Sequence, residues 1–151
     1  MAPARHSPDP SVAEHVGRYL ATDGADGHLE GGVPNLVLAH RGRRSGNRYL
    51  TGLFYGEDDD RYIVVASGSA ITHTHPQWYL NLEAEPTAAV QVLGERFAVR
   101  ARTADGAERG RLWRMMTDLA PVYRDYAARS RRVIPVVVLE RVPGQVPPAF
   151  A

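Results

Sequence analysis

Val90-Gln91-Val92-Leu93-Gly94-Glu95-Arg96-Phe97-Ala98-Val99-Arg100-Ala101-Arg102 decides the architecture. Val90 and Val92 alternate before the Gly94-Glu95 turn, and Phe97, Val99 and Ala101 alternate after it against Arg96, Arg100 and Arg102. Period-two patterning on both sides of a glycine turn predicts an antiparallel hairpin with one face buried and one in water. Two further hairpins are predicted upstream. Residues 36–39 form a short apolar strand, residues 42–47 a turn and residues 49–55 a second strand. The acidic turn Gly56-Glu57-Asp58-Asp59-Asp60 then leads into residues 62–66, whose unbroken apolar run predicts burial on both faces. Residues 134–139 supply a sixth strand, with Pro135 at its start.

Helical signals fall between these strands. Ser11 with Glu14 reads as a capping box ahead of Val12, Val16, Tyr19 and Leu20, which share one face. Pro76 suits the first turn of a helix that carries Trp78, Asn81 and Leu82 on one side and ends near Pro86. Asp105 and Glu108 cap a helix with Leu112, Met115, Met116 and Leu119 in register, and Pro121 opens another turn whose Tyr123 and Tyr126 share a face. Six hairpin strands, with helices inserted after the third and fifth, lack the regular alternation that a parallel doubly wound sheet requires. The expectation is a mainly β fold with α insertions, built as a six-stranded antiparallel barrel with its helices packed outside.

The 151 residues are 44% hydrophobic, enough to bury about two thirds of the unfolded surface as one domain, with residues 1–10 and 143–151 as tails. There is no cysteine, which excludes a thiol nucleophile and a disulfide framework. No signal-peptide core and no membrane-spanning apolar run is visible, so a cytoplasmic location is expected. All 18 basic residues are Arg, which excludes Lys Schiff-base chemistry and leaves cations suited to bidentate oxyanion contacts. High-GC coding would produce the same excess. A net charge of +1 is too balanced for a general nucleic-acid binder.

Two stretches carry most of the functional signal. His40-Arg41-Gly42-Arg43-Arg44-Ser45-Gly46 is a glycine-bracketed turn loaded with guanidinium groups. Ala66-Ser67-Gly68 is a strand end that runs on to the helix at His75-Pro76-Gln77-Trp78-Tyr79-Leu80-Asn81-Leu82. Each is a plausible place to hold phosphate, and together they suggest a phosphorylated cofactor. His73 and His75 have His-x-His spacing, but no third cluster of ligands stands nearby, so no metal site is expected.

Gly42-Arg43-Arg44-Ser45-Gly46, then Val64-Val65-Ala66-Ser67, then residues 76–82, then Pro121 with Tyr123-Arg124-Asp125-Tyr126, then Ile134-Pro135-Val136-Val137-Val138, occur in an order that resembles the deazaflavin-dependent nitroreductase family. The resemblance spans about residues 12–141 and implies a split β-barrel, related to flavin-mononucleotide-binding barrels, that uses the deazaflavin coenzyme F420. It implies that Arg43, Arg44, Ser45 and Gly46 contact the coenzyme's phosphate and acidic tail. Ala66, Ser67 and Gly68 would run beside the ring and phosphate, with Trp78 and Asn81 walling the ring. Tyr123 and Tyr126 would line the acceptor side, Tyr126 as first choice for a donor to the acceptor oxygen and Tyr123 or Ser67 as second.

Three departures from the family pattern stand out. Arg48 is displaced by one residue and the usual preceding Pro is missing, which on a strand changes the face it points from. The loop after Gly68 is one residue longer than usual, and Ala120 replaces an aromatic.

The implied reaction is hydride transfer from reduced F420 to an electron-poor small molecule: a quinone, an activated alkene or a nitroaromatic. Two alternatives stay open on sequence alone, a flavin mononucleotide enzyme on the same barrel and a non-catalytic deazaflavin-binding protein. The Arg129-Ser130-Arg131-Arg132 cluster is a candidate to receive the acidic cofactor tail rather than nucleic acid. The N-terminal helix is compatible with a monomer, a homodimer or a peripheral membrane contact for a lipidic quinone.

Overall fold

The computed structural model describes residues 3–68 and 74–144. In chain order the elements are α1 (Pro10–Thr22), β1 (Leu29–Glu30), β2 (Val33–Arg41), β3 (Arg48–Phe54), β4 (Gly56–Asp58), β5 (Arg61–Val65), α2 (Gln77–Ala84), β6 (Thr87–Val92), β7 (Glu95–Thr103), α3 (Gly106–Leu119), α4 (Val122–Arg129) and β8 (Val136–Arg141). The hairpin at Gly94 forms with Val90 opposite Phe97 and Thr87 opposite Arg100, but its second face is not left to water: Ala89, Gln91 and Ala98 are buried there, Ala89 against Val16 and Tyr19 of α1. The turn at residues 42–47 likewise joins β2 to β3, in register from Arg41 opposite Arg48 to Asn35 opposite Phe54.

Hydrogen-bonded neighbours run β3-β2-β6-β7-β8-β5-β4, with the two-residue β1 on the margin of β2. The two ends of that path, β3 and β4, are separated in the chain by Tyr55 alone. A sheet whose first and last strands are joined by one residue has to curl back on itself, which yields the split barrel. The expected six strands therefore become eight among the described residues, because the reading passed over the short β1 and β4. The expected second hairpin is also corrected. It pairs β5 with β4, not with β3, because the chain changes direction at Tyr55 and β3 is already paired to β2.

The unbroken apolar runs of β5 and β8 are buried on both faces. Val64, Val137 and Leu139 point into the barrel with Leu36, Leu38, Val90, Phe97 and Val99, where α2 closes the interior with Trp78, Tyr79 and Leu82. Ile63, Val65, Val136 and Val138 face outward and are covered by Leu112 and Met116 of α3 and Tyr123 of α4. Helix α1 packs Val16 and Tyr19 on Val37, Leu50 and Ala89 at a third outer face. Each fully buried aliphatic side chain in these clusters contributes about 1.5–3 kcal/mol.

Three local readings change. Asp9, not Ser11, caps α1, its carboxylate accepting from the Ser11 backbone N–H at 2.9 Å. Asp105 occupies the cap position of α3 without a side-chain cap bond, and Glu108 reaches across the sheet to accept from Arg102 at 2.6 Å and Arg61 at 3.1 Å. Residues 3–9 do not hang free: Arg5 lies beside Tyr49, its N–H donating to the Arg48 carbonyl and its carbonyl accepting from the Leu50 N–H.

Candidate functional site

The β2–β3 turn closes because Gly42 N–H donates to the Asn47 carbonyl and Gly46 N–H donates to the Gly42 carbonyl. Gly46 has φ +73°, a left-handed conformation that glycine adopts without strain. A Cβ on Gly42 would stand 2.7 Å from the Tyr49 ring and 2.8 Å from Ser45 Oγ. The glycine bracket thus brings Ser45 and Tyr49 close enough to share a hydrogen bond of 3.2 Å.

This turn leans on the start of α2. Asn81 Oδ1 accepts from the Arg43 backbone N–H at 3.2 Å and from Arg43 Nη1 at 2.8 Å, and Gln77 Oε1 accepts from the same Nη1 at 2.9 Å. With its oxygen committed to Arg43, the Asn81 amide donates through Nδ2 to His40 Nδ1 at 3.0 Å. Nδ1 of His40 is therefore an acceptor, and the neutral ring carries its proton on Nε2. The imidazole stacks on Tyr49 with centroids 5.8 Å apart, and burial pushes its pKa down to about 4. Asn81 is 5% exposed and internally bonded. It sets the pose of Arg43 and His40.

Between the turn and α2 lies a cleft of about 490 Å³, lined by His40, Arg43, Arg44, Ser45, Tyr49 and Trp78 together with Ser7 and Pro8 of the N-terminal segment. Its polar groups are cationic or neutral donors and its walls are aromatic and aliphatic. That donor set fits a molecule with an anionic phosphate or carboxylate at one end and a flat ring at the other. Arg43, Arg44, Ser45, Trp78 and Asn81 all line this cleft. Gly46 shapes the exposed end of the turn.

Ala66, Ser67 and Gly68 are not among the described residues lining this cleft; they follow directly on β5, and the Ala66 and Ser67 carbonyls accept from Arg132. Arg132 thus faces the strand end. Tyr123 and Tyr126 belong to the α3–α4 cluster, with rings 6.3 Å apart and Tyr123 edge-on to Phe54 at 6.3 Å. Tyr123 is 5% exposed and burial pushes its phenol pKa up, which leaves Tyr126 as the more accessible hydroxyl. His75 accepts from Arg132 through Nδ1 at 3.1 Å, and His73 lies outside the described residues. Among the described residues no group of three His, Cys, Asp or Glu could hold a metal, and no helix is long and apolar enough to cross a membrane.

Sequence reasoning missed His40 and the Ser7-Pro8 wall. A histidine just before a turn is commonly plain packing, and nothing local ties residues 7–8 to a strand more than forty positions away.

The buried neutral state of His40 makes folding pH-dependent. Its folded pKa lies below the unfolded value near 6.5, so the unfolded chain takes up a proton first as pH falls. This contribution is fully present above about pH 6.5 and is lost toward pH 4, a change on the order of 3 kcal/mol. Denaturant unfolding at pH 7.5 and 4.5 should show that loss in the wild type and a smaller one in His40→Gln. Equal losses in both would place the acid sensitivity elsewhere.

A family model described as F420H(2)-dependent quinone reductase matches residues 11–141. An F420H(2)-dependent quinone reductase of Mycobacterium tuberculosis is 36% identical over 131 residues, covering 84% of this chain and 87% of the relative. A solved F420-H2 dependent reductase superposes with a TM-score of 0.65 at 31% identity, over 71% of this chain and 94% of that one. A chain described as a domain-swapped dimer superposes with a TM-score of 0.68 at 31% identity, over 89% of this chain and all of that one.

Proposed function

The chain belongs to the F420H(2)-dependent quinone reductase family, oxidoreductases that use coenzyme F420, and from that premise we propose that the cleft beside the arginine turn holds the coenzyme for reduction of a quinone. One observation carries the reading: the guanidinium pair Arg43 and Arg44, Ser45, neutral His40 and the Trp78 ring face one cleft of about 490 Å³. Arg43, Arg44 and Ser45 would take the phosphodiester and the acidic tail, and Trp78 would wall the ring. Ala66, Ser67 and Gly68 would run beside the ring on the other side. Reduced F420 supplies the hydride when bound. A quinone that accepts a hydride on carbon or oxygen also needs a proton, and Tyr126 is the accessible phenol for that hydrogen bond or proton.

An alternative class, flavin mononucleotide chemistry on the same barrel, is separated by a fluorescence titration of the protein with F420 beside flavin mononucleotide, repeated at higher salt. Selective F420 binding that weakens with salt supports the reading, and preference for flavin mononucleotide would overturn it. Tyr126→Phe should lower turnover of a soluble quinone about tenfold or more with F420 affinity nearly unchanged. A loss of F420 affinity instead would assign Tyr126 a structural place. Whether the protein works as a monomer or a dimer is read by sedimentation of the purified chain with and without F420, since one structural relative is a domain-swapped dimer.

A further inference from the structure

The end of β5 is held from the far side of the chain. Arg132, in the segment between α4 and β8, donates from Nη1 to the Ala66 carbonyl at 3.1 Å and from Nη2 to the Ser67 carbonyl at 2.6 Å. Nη1 also donates to His75 Nδ1 at 3.1 Å, just ahead of α2. One guanidinium therefore joins the strand end, the start of the helix that closes the barrel and the segment after α4.

These contacts fix more than position. Successive carbonyls of an extended strand point to opposite sides, so two neighbouring carbonyls on one guanidinium mark where the strand geometry ends. No cis peptide is present among the described residues, and across a trans peptide the next N–H points opposite to the carbonyl. With the Ala66 and Ser67 carbonyls turned toward Arg132, the Ser67 and Gly68 N–H groups face away from it. Gly68 has φ +61°, a left-handed conformation that glycine adopts without strain. Neither N–H takes part in the β5–β8 ladder, whose last bond at this end is from Ala66 N–H to the Pro135 carbonyl at 2.9 Å.

Holding Arg132 here is costly. Its Nε is buried without a hydrogen-bond partner, and burial lowers the guanidinium's affinity for its proton. A surface position would leave the same side chain fully hydrated, so a purely packing role is poorly served by a charged, incompletely bonded group.

We propose that Arg132 is a positioning residue for the cofactor site: by pinning the Ala66 and Ser67 carbonyls it aims the Ser67 and Gly68 N–H groups at the oxygen atoms of bound F420. This rests on the reading of the chain as an F420-dependent reductase, and it adds to that reading a residue which need not touch the coenzyme.

The test has one arm without coenzyme and one with it. In the first, nitrogen–proton correlation spectra of the coenzyme-free protein are compared between wild type, Arg132→Lys and Arg132→Met. The Ser67 and Gly68 amide signals should move in both variants, more in Met. The His75 ring should titrate higher in Met, since burial and the Arg132 charge hold it below its usual value, opposed by Glu83. In the second arm, Arg132→Met should lose about tenfold or more in F420 affinity at a temperature where the variant is fully folded, the size expected for two misdirected donors. Arg132→Lys, whose ammonium can reach one carbonyl but cannot fork over both, should recover part of the affinity, as should added guanidinium with Arg132→Ala.

Unmoved Ser67 and Gly68 amides in Arg132→Met overturn the positioning role whatever the coenzyme does. Moved amides with wild-type F420 affinity overturn the link to the cofactor. Failure of the wild type to bind F420 would be a different result, defeating the functional reading while the amide spectra still decide what Arg132 holds.

Discussion

Replacing Arg43 and Arg44 together by Ala is expected to weaken F420 binding by roughly two to three orders of magnitude, because each guanidinium contributes a charge-assisted hydrogen bond to an anionic group. The two are not equivalent. Arg43 is half-buried and its Nη1 is braced by Asn81 and Gln77, so its fork is already oriented when ligand arrives. Arg44 is exposed and lines the cleft without a comparable brace, so its share should be smaller and more strongly screened by salt. Arg43→Ala should therefore account for most of the loss at high salt, with Arg44→Ala noticeable only at low salt. The thermal midpoint should fall little, since neither side chain is in the core. Fluorescence titrations of both single variants and the double variant at two ionic strengths check this. A change of less than about threefold in the double variant would mean that the turn is not where the anionic end of the coenzyme sits.

The second large effect is on stability. Trp78→Ala should cost about 3–5 kcal/mol, the usual range for deleting a large aromatic from a core. Trp78 is 7% exposed, meets the Tyr79 ring edge-on at 6.2 Å and belongs to the cluster that fills the barrel interior. The void left behind would lie under α2, the helix that carries Asn81 and Gln77. Loosening α2 should release Arg43 and His40 as well, so Trp78→Ala should lose coenzyme affinity alongside stability. Trp78→Phe separates the two effects: it keeps most of the packing while shrinking the aromatic wall of the cleft. Denaturant unfolding and F420 titration of both variants read this out, and a Trp78→Ala protein as stable as wild type would show that the barrel closes without this ring.

The alternating run around Gly94 and the double-sided apolar runs of residues 62–66 and 134–139 were legible because each follows from local chemistry: a strand shows its buried faces as a period in sequence. The glycine-bracketed arginine turn was legible for the same reason, since its closure depends on residues within six positions of one another. Two corrections show where local reading stops. Nothing local distinguishes β4 from the rest of an acidic turn, because a three-residue strand is made by its partner. The partner of β3 was equally hidden, because hairpin logic joins neighbours and the barrel instead turns the chain aside at Tyr55.

Sequence by itself determined the strand-rich antiparallel class and, by resemblance, the family; it singled out Arg43, Arg44, Ser45, Trp78 and Asn81 as candidates and left flavin mononucleotide open beside F420. Only the tertiary structure decided that Asn81 spends its hydrogen bonds on Arg43 and His40, that Ser7 and Pro8 wall the cleft, that Tyr123 is core while Tyr126 is accessible, and that Arg132 grips the end of β5. The division has a physical cause. Backbone patterning and turn chemistry act over a few residues and leave a periodic trace in the chain. Burial, tautomer choice and the pairing of a guanidinium with carbonyls sixty-five positions away are set by which surfaces meet once the sheet has curled.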